Sequence, residues 1–373
     1  MTDPQDTTVA VDGAEVTITS PDRVVFPEVG LTKLDLVEFY VEVADVLMPH
    51  CRDRPCNLER HPRGVGGPTF VQKRLPETRP AWLGVAEVTF GSGRTATELC
   101  PASVADVLWA ANLGAITVHP WSLRVPRASS PSTRADARTE AETRLAAEAG
   151  AAAEAGAAAE AGAAAEAGWN GRQPDELRLD LDPMPGVAFA AVRRVAVAVR
   201  ELLAEDGIAS FVKTSGASGL HVIARIEPRP YLEVRAAAGA LAREVERRLD
   251  TATSAWWRRE RGQRVFIDYN QNLWDRSMAC AYAVRATPGA TVSLPVTWDE
   301  LDDVEPEDAT ILTTPDLLAR RDDPMASLDD RAHPLDALLE RVSRDRAAGL
   351  GELPMPPHYP KLPSEPRRAP PSE

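Results

Sequence analysis

The segment Leu177-Arg178-Leu179-Asp180-Leu181-Asp182 limits the fold of this chain more than any other. Its residues alternate with the period of a β-strand. Leu177, Leu179 and Leu181 therefore share one face, and Asp180 and Asp182 the other. The leucine face must be buried, while the opposite face carries two carboxylates side by side. Adjacent like charges disfavour each other's ionisation. A divalent cation removes that conflict, because hard cations favour clustered carboxylate oxygens. Pro183-Met184-Pro185-Gly186 stops the strand and leaves the pair near its carboxyl end, where open sheets tend to receive ligands. An isolated Asp-x-Asp is as readily two solvated acids on an edge strand. Three further segments favour a site.

In Phe211-Val212-Lys213-Thr214-Ser215-Gly216-Ala217-Ser218-Gly219-Leu220-His221, apolar runs flank a small-residue loop. Gly216 and Gly219 let backbone N–H groups approach an anion, and the hydroxyls of Thr214, Ser215 and Ser218 add donors. His221 opens the next strand and can donate to a phosphate. The loop lacks the Gly-Lys-Ser/Thr ending of a Walker loop and leads into a strand; alone it reads equally as an ordinary turn. In Arg264-Val265-Phe266-Ile267-Asp268-Tyr269-Asn270-Gln271-Asn272, one acid interrupts a buried apolar strand. A charge in such a run needs a partner or a metal. With Asp180 and Asp182, Asp268 completes a two-cation site able to clamp an attacking oxygen, a leaving oxygen and a triphosphate. Finally, a strand carries His119 to its end, where Pro120 prevents continuation. Such a histidine is often structural, but beside a triphosphate it is a useful donor.

These segments, with Pro21-Asp22-Arg23-Val24-Val25-Phe26-Pro27, Thr32-Lys33, Glu59-Arg60-His61-Pro62-Arg63-Gly64-Val65, Phe70-Val71-Gln72-Lys73, Asn112-Leu113-Gly114 and Ala281-Tyr282-Ala283-Val284-Arg285, occur in a telling order. The chain resembles the polymerase domain of bacterial ATP-dependent DNA ligase D, a branch of the archaeo-eukaryotic primase superfamily. It is more similar still to the stand-alone primase-polymerases of actinobacteria. The resemblance covers roughly residues 15 to 305. It implies template-dependent nucleotidyl transfer with two divalent cations, Mn²⁺ or Mg²⁺, and frequent use of ribonucleotides. By position, Asp180, Asp182 and Asp268 would hold the metals. His119, Ser215, His221 and Arg285 would contact the triphosphate, with Arg60 and Lys73 near nucleotide and template. Arg23 and Lys33 would grip a 5′-phosphate across a DNA gap or break. Three positions depart from the family. Ser218 stands where a basic residue is usual, Val71 where an aromatic often stacks on the incoming base, and Glu59 where a lysine is common.

The net charge of −14 argues against nonspecific DNA affinity over the whole surface, though not against a local basic cleft. Cys51, Cys56, Cys100 and Cys280 form no C-x-x-C pair, so neither a zinc module nor a disulfide framework is supported. With no membrane-length apolar run and no signal peptide, a cytoplasmic location is expected.

Residues Met1 to Thr8 read as a polar, unstructured start, followed by a hairpin turning at Asp12-Gly13. Thr32 and Asp35 form a capping box for a helix from Lys33 to about Met48, with Leu31 as staple. The free N–H groups of that helix start would assist Lys33 in holding an anion. Glu148, Glu154, Glu160 and Glu166 recur every six residues among alanines and glycines. Such spacing builds no apolar stripe, and each glycine disfavours helix by about 1 kcal/mol. The stretch reads as a flexible, partly helical insert. Helices are expected over about 187–206 and about 232–259, the second carrying Trp256 and Trp257 into the core. The order β-α-β-β-α-β from Leu177 to Tyr269 resembles an RNA-recognition-type or ferredoxin-like module. The expected fold is α+β, a primase-like core in which this module packs against an N-terminal α/β module. The expected domain spans about 9–345. Its N-terminal module covers about 9–126 and its catalytic module about 173–330, with the insert at 127–172 between them and a proline-rich tail at 346–373 adding nothing to the core.

The function expected is NTP or dNTP addition to a primer 3′ end at DNA gaps or breaks during repair. The chain carries no ligase or nuclease segment, so a separate ATP-dependent DNA ligase and a DNA-end-binding protein would act in trans. The alternative is a catalytically weak DNA-end-binding module that recruits such partners. A metal-dependent nuclease suits the small-residue loop less well.

Overall fold

The computed structural model describes residues 6–89, 95–125, 173–273 and 276–356. The insert expected at 127–172 lies outside them, as does the tail beyond residue 356. The chain starts with a hairpin, β1 (Thr7–Val11) and β2 (Ala14–Ile18), turned by Asp12 at φ 51° and Gly13 at φ 75°. Thr7 and Thr8 thus belong to a strand, because each pairs with a residue of β2. After β3 (Val24–Phe26) and β4 (Leu31–Thr32), helix α1 (Lys33–Glu42) opens on the Thr32–Asp35 capping box. It is shorter than expected. Val43 leaves the helical conformation, and a second helix, α2 (Ala44–Cys51), follows.

The N-terminal sheet is built around β5 (Cys56–Arg60). β6 (Phe70–Gln72) pairs with one of its sides. β7 (Val85–Thr89) and β8 (Thr95–Leu99) form a hairpin that joins at Cys56. Helix α3 (Val104–Asn112) then leads to β9 (Ala115–Pro120), antiparallel to β5.

The second sheet holds the expected module. β10 (Glu176–Pro183), helix α4 (Phe189–Glu205), β11 (Phe211–Thr214), β12 (Leu220–Arg225), helix α5 (Tyr231–Arg248), β13 (Ala252–Thr253), the one-turn helix α6 (Arg258–Arg261) and β14 (Val265–Asp268) follow in chain order. In space the strands run β13-β14-β10-β12-β11, extended by β15 (Pro295–Val296). Strand β10 is central and antiparallel to both neighbours, β12 and β14, as in the RNA-recognition arrangement. Leu177, Leu179 and Leu181 are buried on the back of the sheet, where α4 and α5 pack. Both helices turn an i, i+3, i+4 stripe to it, Val192, Val195, Val199 and Leu202 in α4 and Val234, Ala237, Leu241 and Val245 in α5.

The second helix stops at Arg248, eleven residues before the expected end. Leu249 is extended, Thr253 joins β13, and Glu246 accepts hydrogen bonds from Thr253 Oγ1, Ser254 N and Ser254 Oγ. Trp256 does pack on the core, edge-on to Phe266.

The two sheets are joined through buried charge. Arg178, on the front of β10, donates to the carbonyls of Pro120 (2.7 Å), the last residue of β9, and of Trp121 (3.0 Å), just beyond it. Arg54, fully buried, binds Asp175 at 2.7 Å and Glu176 at 2.5 Å. The chain from Ser277 to Leu294 runs between the sheets. Cys280 N bonds Val118 O on one side, and Thr214 N bonds Leu294 O on the other. One apolar core accordingly extends from Val16 to Leu338. A 3₁₀ turn (Tyr269–Asn272) follows β14, and helices α7 (Thr314–Leu318) and α8 (Asp336–Ala347) complete the described elements.

The tail does add to this core. Leu353 packs against it, and Pro354 O accepts from Tyr269 Oη (3.0 Å) and Arg235 Nη2 (2.9 Å). Gly239 leaves room for it, since a Cβ there would lie 3.1 Å from Leu353 Cδ1. Among the described residues no helix is long and apolar enough to cross a membrane.

Candidate active site

Strand register aligns four polar residues in one row across the front of the second sheet. Asp268 on β14 lies directly opposite Asp180 on β10. Asp180 lies opposite His221 on β12, and His221 opposite Lys213 on β11. Residues directly opposite share a face. Asp182, two residues along β10, is on that face too.

The side chains connect along the row. His221 Nε2 is 3.3 Å from Asp180 Oδ1, and Lys213 Nζ is 2.6 Å from His221 Nδ1. Lys213 also donates to Ser293 Oγ at 2.5 Å. Both ring nitrogens of His221 are thus engaged. A lysine donor at Nδ1 leaves the ring proton on Nε2, directed at Asp180. Gln271 Nε2 approaches the other Asp180 oxygen at 3.3 Å, and Asp268 Oδ1 accepts from Asn270 N at 2.9 Å.

Burial raises all three carboxyl pKa values, Asp180 to about 6 and Asp182 and Asp268 to about 7, and repulsion from Asp180 adds to the shift of the other two. Burial lowers Lys213 to about 7 and pushes His221 well below the ordinary imidazole range. Among the described residues, no three His, Cys, Asp or Glu side chains close around a point as a ready-made cation cage. The acids lie side by side on a sheet. That open, oxygen-only donor set fits hard cations that take their remaining ligands from water and phosphate.

The small-residue loop adjoins the row. Ser215 Oγ accepts from Ala217 N and Gly219 N, each at 3.1 Å, so those two amides brace the loop from within. Thr214, expected as a donor to an anion, is buried, and its hydroxyl bonds the chain at Val292 and Leu294. Arg285 Nη1 donates to Ser215 O at 3.0 Å. Gly216, at φ 69°, lies against it so closely that a Cβ would come within 2.5 Å of Arg285 Cγ. The loop and Arg285 form one packed unit.

His119 reaches the site from β9. Its Nε2 is 3.3 Å from Glu59 Oε2, while Glu59 Oε1 is 3.1 Å from His61 Nε2. The hydrogen bond from His119 is the main reason that the Glu59 carboxyl falls to about 2. Burial lowers His119.

The other expected binding residues form separate groups. Arg60 is held by Leu113 O and Gln72 Oε1 and lies over the Phe70 ring, with Phe70 and Val71 on the surface beside it. Lys73 follows on the same stretch. Lys33 is buried, not displayed. Its Nζ contacts Thr19 O and Asn112 Oδ1, and burial together with the nearby Arg23 lowers it to about 8. The amides expected to be free at the helix start are engaged too. Lys33 N bonds Arg23 O, Leu34 N bonds Pro21 O, and Asp35 N bonds Thr32 Oγ1. Arg23 Nη1 donates to Pro62 O at 2.7 Å, and its Nε is buried without a partner.

Sequence reasoning passed over Lys213 and the arginines of the 258–261 turn. Arg258 and Arg261 act electrostatically on Asp182, placing positive charge beside the acids. Arg258 fell inside the expected helix and Arg261 just past its end, so no spacing argument singled them out.

An RNA-recognition-type sheet with acids on its open face and a compact loop at one side is the architecture of the primase-like polymerases. Comparison with known proteins narrows that class. Residues 32–325 match the LigD primase-polymerase domain, and the chain belongs to that family. It is 32% identical over 348 residues to the multifunctional non-homologous end joining DNA repair protein LigD of Mycobacterium tuberculosis, covering 91% of this chain and 40% of that protein. The bifunctional non-homologous end joining protein LigD of Bacillus subtilis is 24% identical over 332 residues, covering 87% of this chain and 46% of that one. The chain thus spans less than half the length of these relatives. The solved polymerase domain of M. tuberculosis ligase D in complex with DNA superposes with a TM-score of 0.70 at 30% identity, covering 85% of this chain and 99% of that one.

Proposed function

We propose that this chain is a template-dependent nucleotidyltransferase that adds NTPs or dNTPs to a primer 3′ end at DNA gaps or breaks in end-joining repair. The observation that carries the reading is the register that sets Asp268 against Asp180, with Asp182 on the same face. Asp180 and Asp182 would hold both of two divalent cations, Mn²⁺ or Mg²⁺, and Asp268 would complete the position nearer the primer. Cations bound there supply charge neutralisation at the α-phosphate and a more acidic primer hydroxyl. His221, fixed by Lys213, holds Asp180 in place. Arg285, Ser215 and His119 bind and orient the triphosphate, and His221 lies within reach of it. The primer hydroxyl forms the new phosphodiester as the bond to pyrophosphate breaks.

DNA is proposed as substrate because the related M. tuberculosis domain is known in complex with it. The Arg258–Arg261 turn gives this acidic chain a local basic surface next to the acids. A separate ATP-dependent DNA ligase and a DNA-end-binding protein are the partners such chemistry needs, and a cytoplasmic site of action follows from the DNA. Exposed Val71, with no aromatic at its position, favours the second reading, a weak catalyst that mainly binds DNA ends. Extension of a gapped primer by the wild-type chain, with single NTPs and Mn²⁺, separates the two. Incorporation directed by the template supports the polymerase. DNA binding without incorporation supports the end-binding module.

A further inference from the structure

We infer that Glu59 is a residue that sets nucleotide affinity: it occupies the His119 N–H and competes with the triphosphate for it. The inference rests on the reading that His119 contacts the nucleotide.

Three observations lead to it. Glu59 bridges two histidines, at 3.1 Å to His61 and 3.3 Å to His119, and both contacts use Nε2. Neighbouring strands fix this arrangement, since β5 and β9 pair Asn57 with His119 and Glu59 with Thr117. Glu59 and His119 both lie within electrostatic reach of Arg285, the cation that braces the loop at Ser215. A carboxylate therefore sits among the groups assigned to a polyanion. With its carboxyl lowered to about 2 by those neighbours, Glu59 is ionised at neutral pH.

An anionic ligand arriving here meets two obstacles. It must take the His119 N–H from a charged acceptor, and a charge-assisted hydrogen bond is roughly twice as strong as a neutral one. It must also tolerate a fixed like charge, and such juxtapositions across a binding surface are costly. Both effects weaken nucleotide binding in the free enzyme. Glu59 is a quarter exposed, so it can turn toward solvent once a phosphate has replaced it.

The test is calorimetric titration of the full chain with α,β-methylene-ATP and Mn²⁺, comparing wild type, Glu59→Gln, Glu59→Ala, His119→Gln and the Glu59→Gln/His119→Gln double variant. Thermal melts of each check the fold. Glu59→Gln keeps the shape and removes the charge; Glu59→Ala removes both and guards against a glutamine that still holds His119. The expected result is binding about tenfold tighter for either Glu59 variant, weaker binding for His119→Gln, and loss of the Glu59→Gln gain in the double variant. Equal or weaker binding by both Glu59 variants overturns the inference while leaving the polymerase reading intact. A gain that survives in the double variant overturns competition for His119. Unchanged binding by His119→Gln overturns the assignment of His119 to the nucleotide, and the inference with it.

Discussion

Asp180 and Asp268 face each other across adjacent antiparallel strands, in direct register. Two carboxylates so placed work against the stability of the metal-free protein. Burial raises Asp180 to about 6, and burial with repulsion from Asp180 raises Asp268 to about 7. A group whose folded pKa lies above its unfolded value contributes stability that is complete below the unfolded pKa and lost as pH rises through the folded one. For Asp268 that window runs from the ordinary aspartate range to about 7. Asp268→Asn should therefore leave Tm unchanged at pH 4 and raise it at pH 8 in the presence of EDTA, by about 1–3 kcal/mol of stability. Melts across this range check it. Equal effects at both ends would show that the carboxyl is not strained.

In the proposed mechanism Lys213 is a positioning residue. Lys213→Met keeps the buried stem but removes the donor to His221 Nδ1. Extension should fall about 10- to 100-fold, the usual effect of freeing a group that orients a metal-binding carboxylate. The melt should change little at neutral pH, where this lysine is already easily deprotonated. Wild-type rates in Lys213→Met would remove the lysine from the mechanism.

The 5′-phosphate assignment now leans on Arg23. With the helix-start amides engaged and Lys33 buried, the half-buried Arg23, tied to Pro62 O through Nη1, is the cation left for a dianion. A gap with a 5′-phosphate should bind more tightly than one with a 5′-hydroxyl, and Arg23→Ala should erase a difference of about 1–3 kcal/mol. Anisotropy titrations of both gaps at one salt concentration measure this. Equal wild-type affinity for the two gaps would end the gap-recognition reading.

Truncation after Glu352 removes Leu353 and the Pro354 carbonyl that binds Tyr269 and Arg235. Arg235 also holds Asn270, whose backbone caps Asp268. The truncated chain should melt about 2–8 °C lower and extend primers more slowly. An unchanged melt would show that this contact contributes nothing.

Local pattern carried much of this structure. Alternation in Leu177–Asp182 marked both faces of β10, Asp12-Gly13 the turn of the β1–β2 hairpin, and Thr32 with Asp35 a helix start. What could not be read depends on distant partners. Lys213 looks like a solvated strand lysine until Ser293, eighty residues away, is placed beside it. The helix end at Arg248 depends on Glu246 capturing Thr253 and Ser254. Lys33 pointed to an anion site by its position at a helix start, yet its ammonium turns inward because Thr19 and Asn112 offer oxygens there. The N-terminal motifs meet at a packing corner, where Gly114 and Pro62 touch and Arg23 and Arg60 tie down carbonyls.

Primer extension on gapped DNA in Mn²⁺ by Asp180→Asn, Asp268→Asn and the double variant tests the central claim most directly. If these acids hold the cations for nucleotidyl transfer, each single variant should lose about 10³-fold or more while staying folded, and the double variant little beyond that, because the site acts as a unit. Extension by either single variant at near wild-type rate would contradict the account.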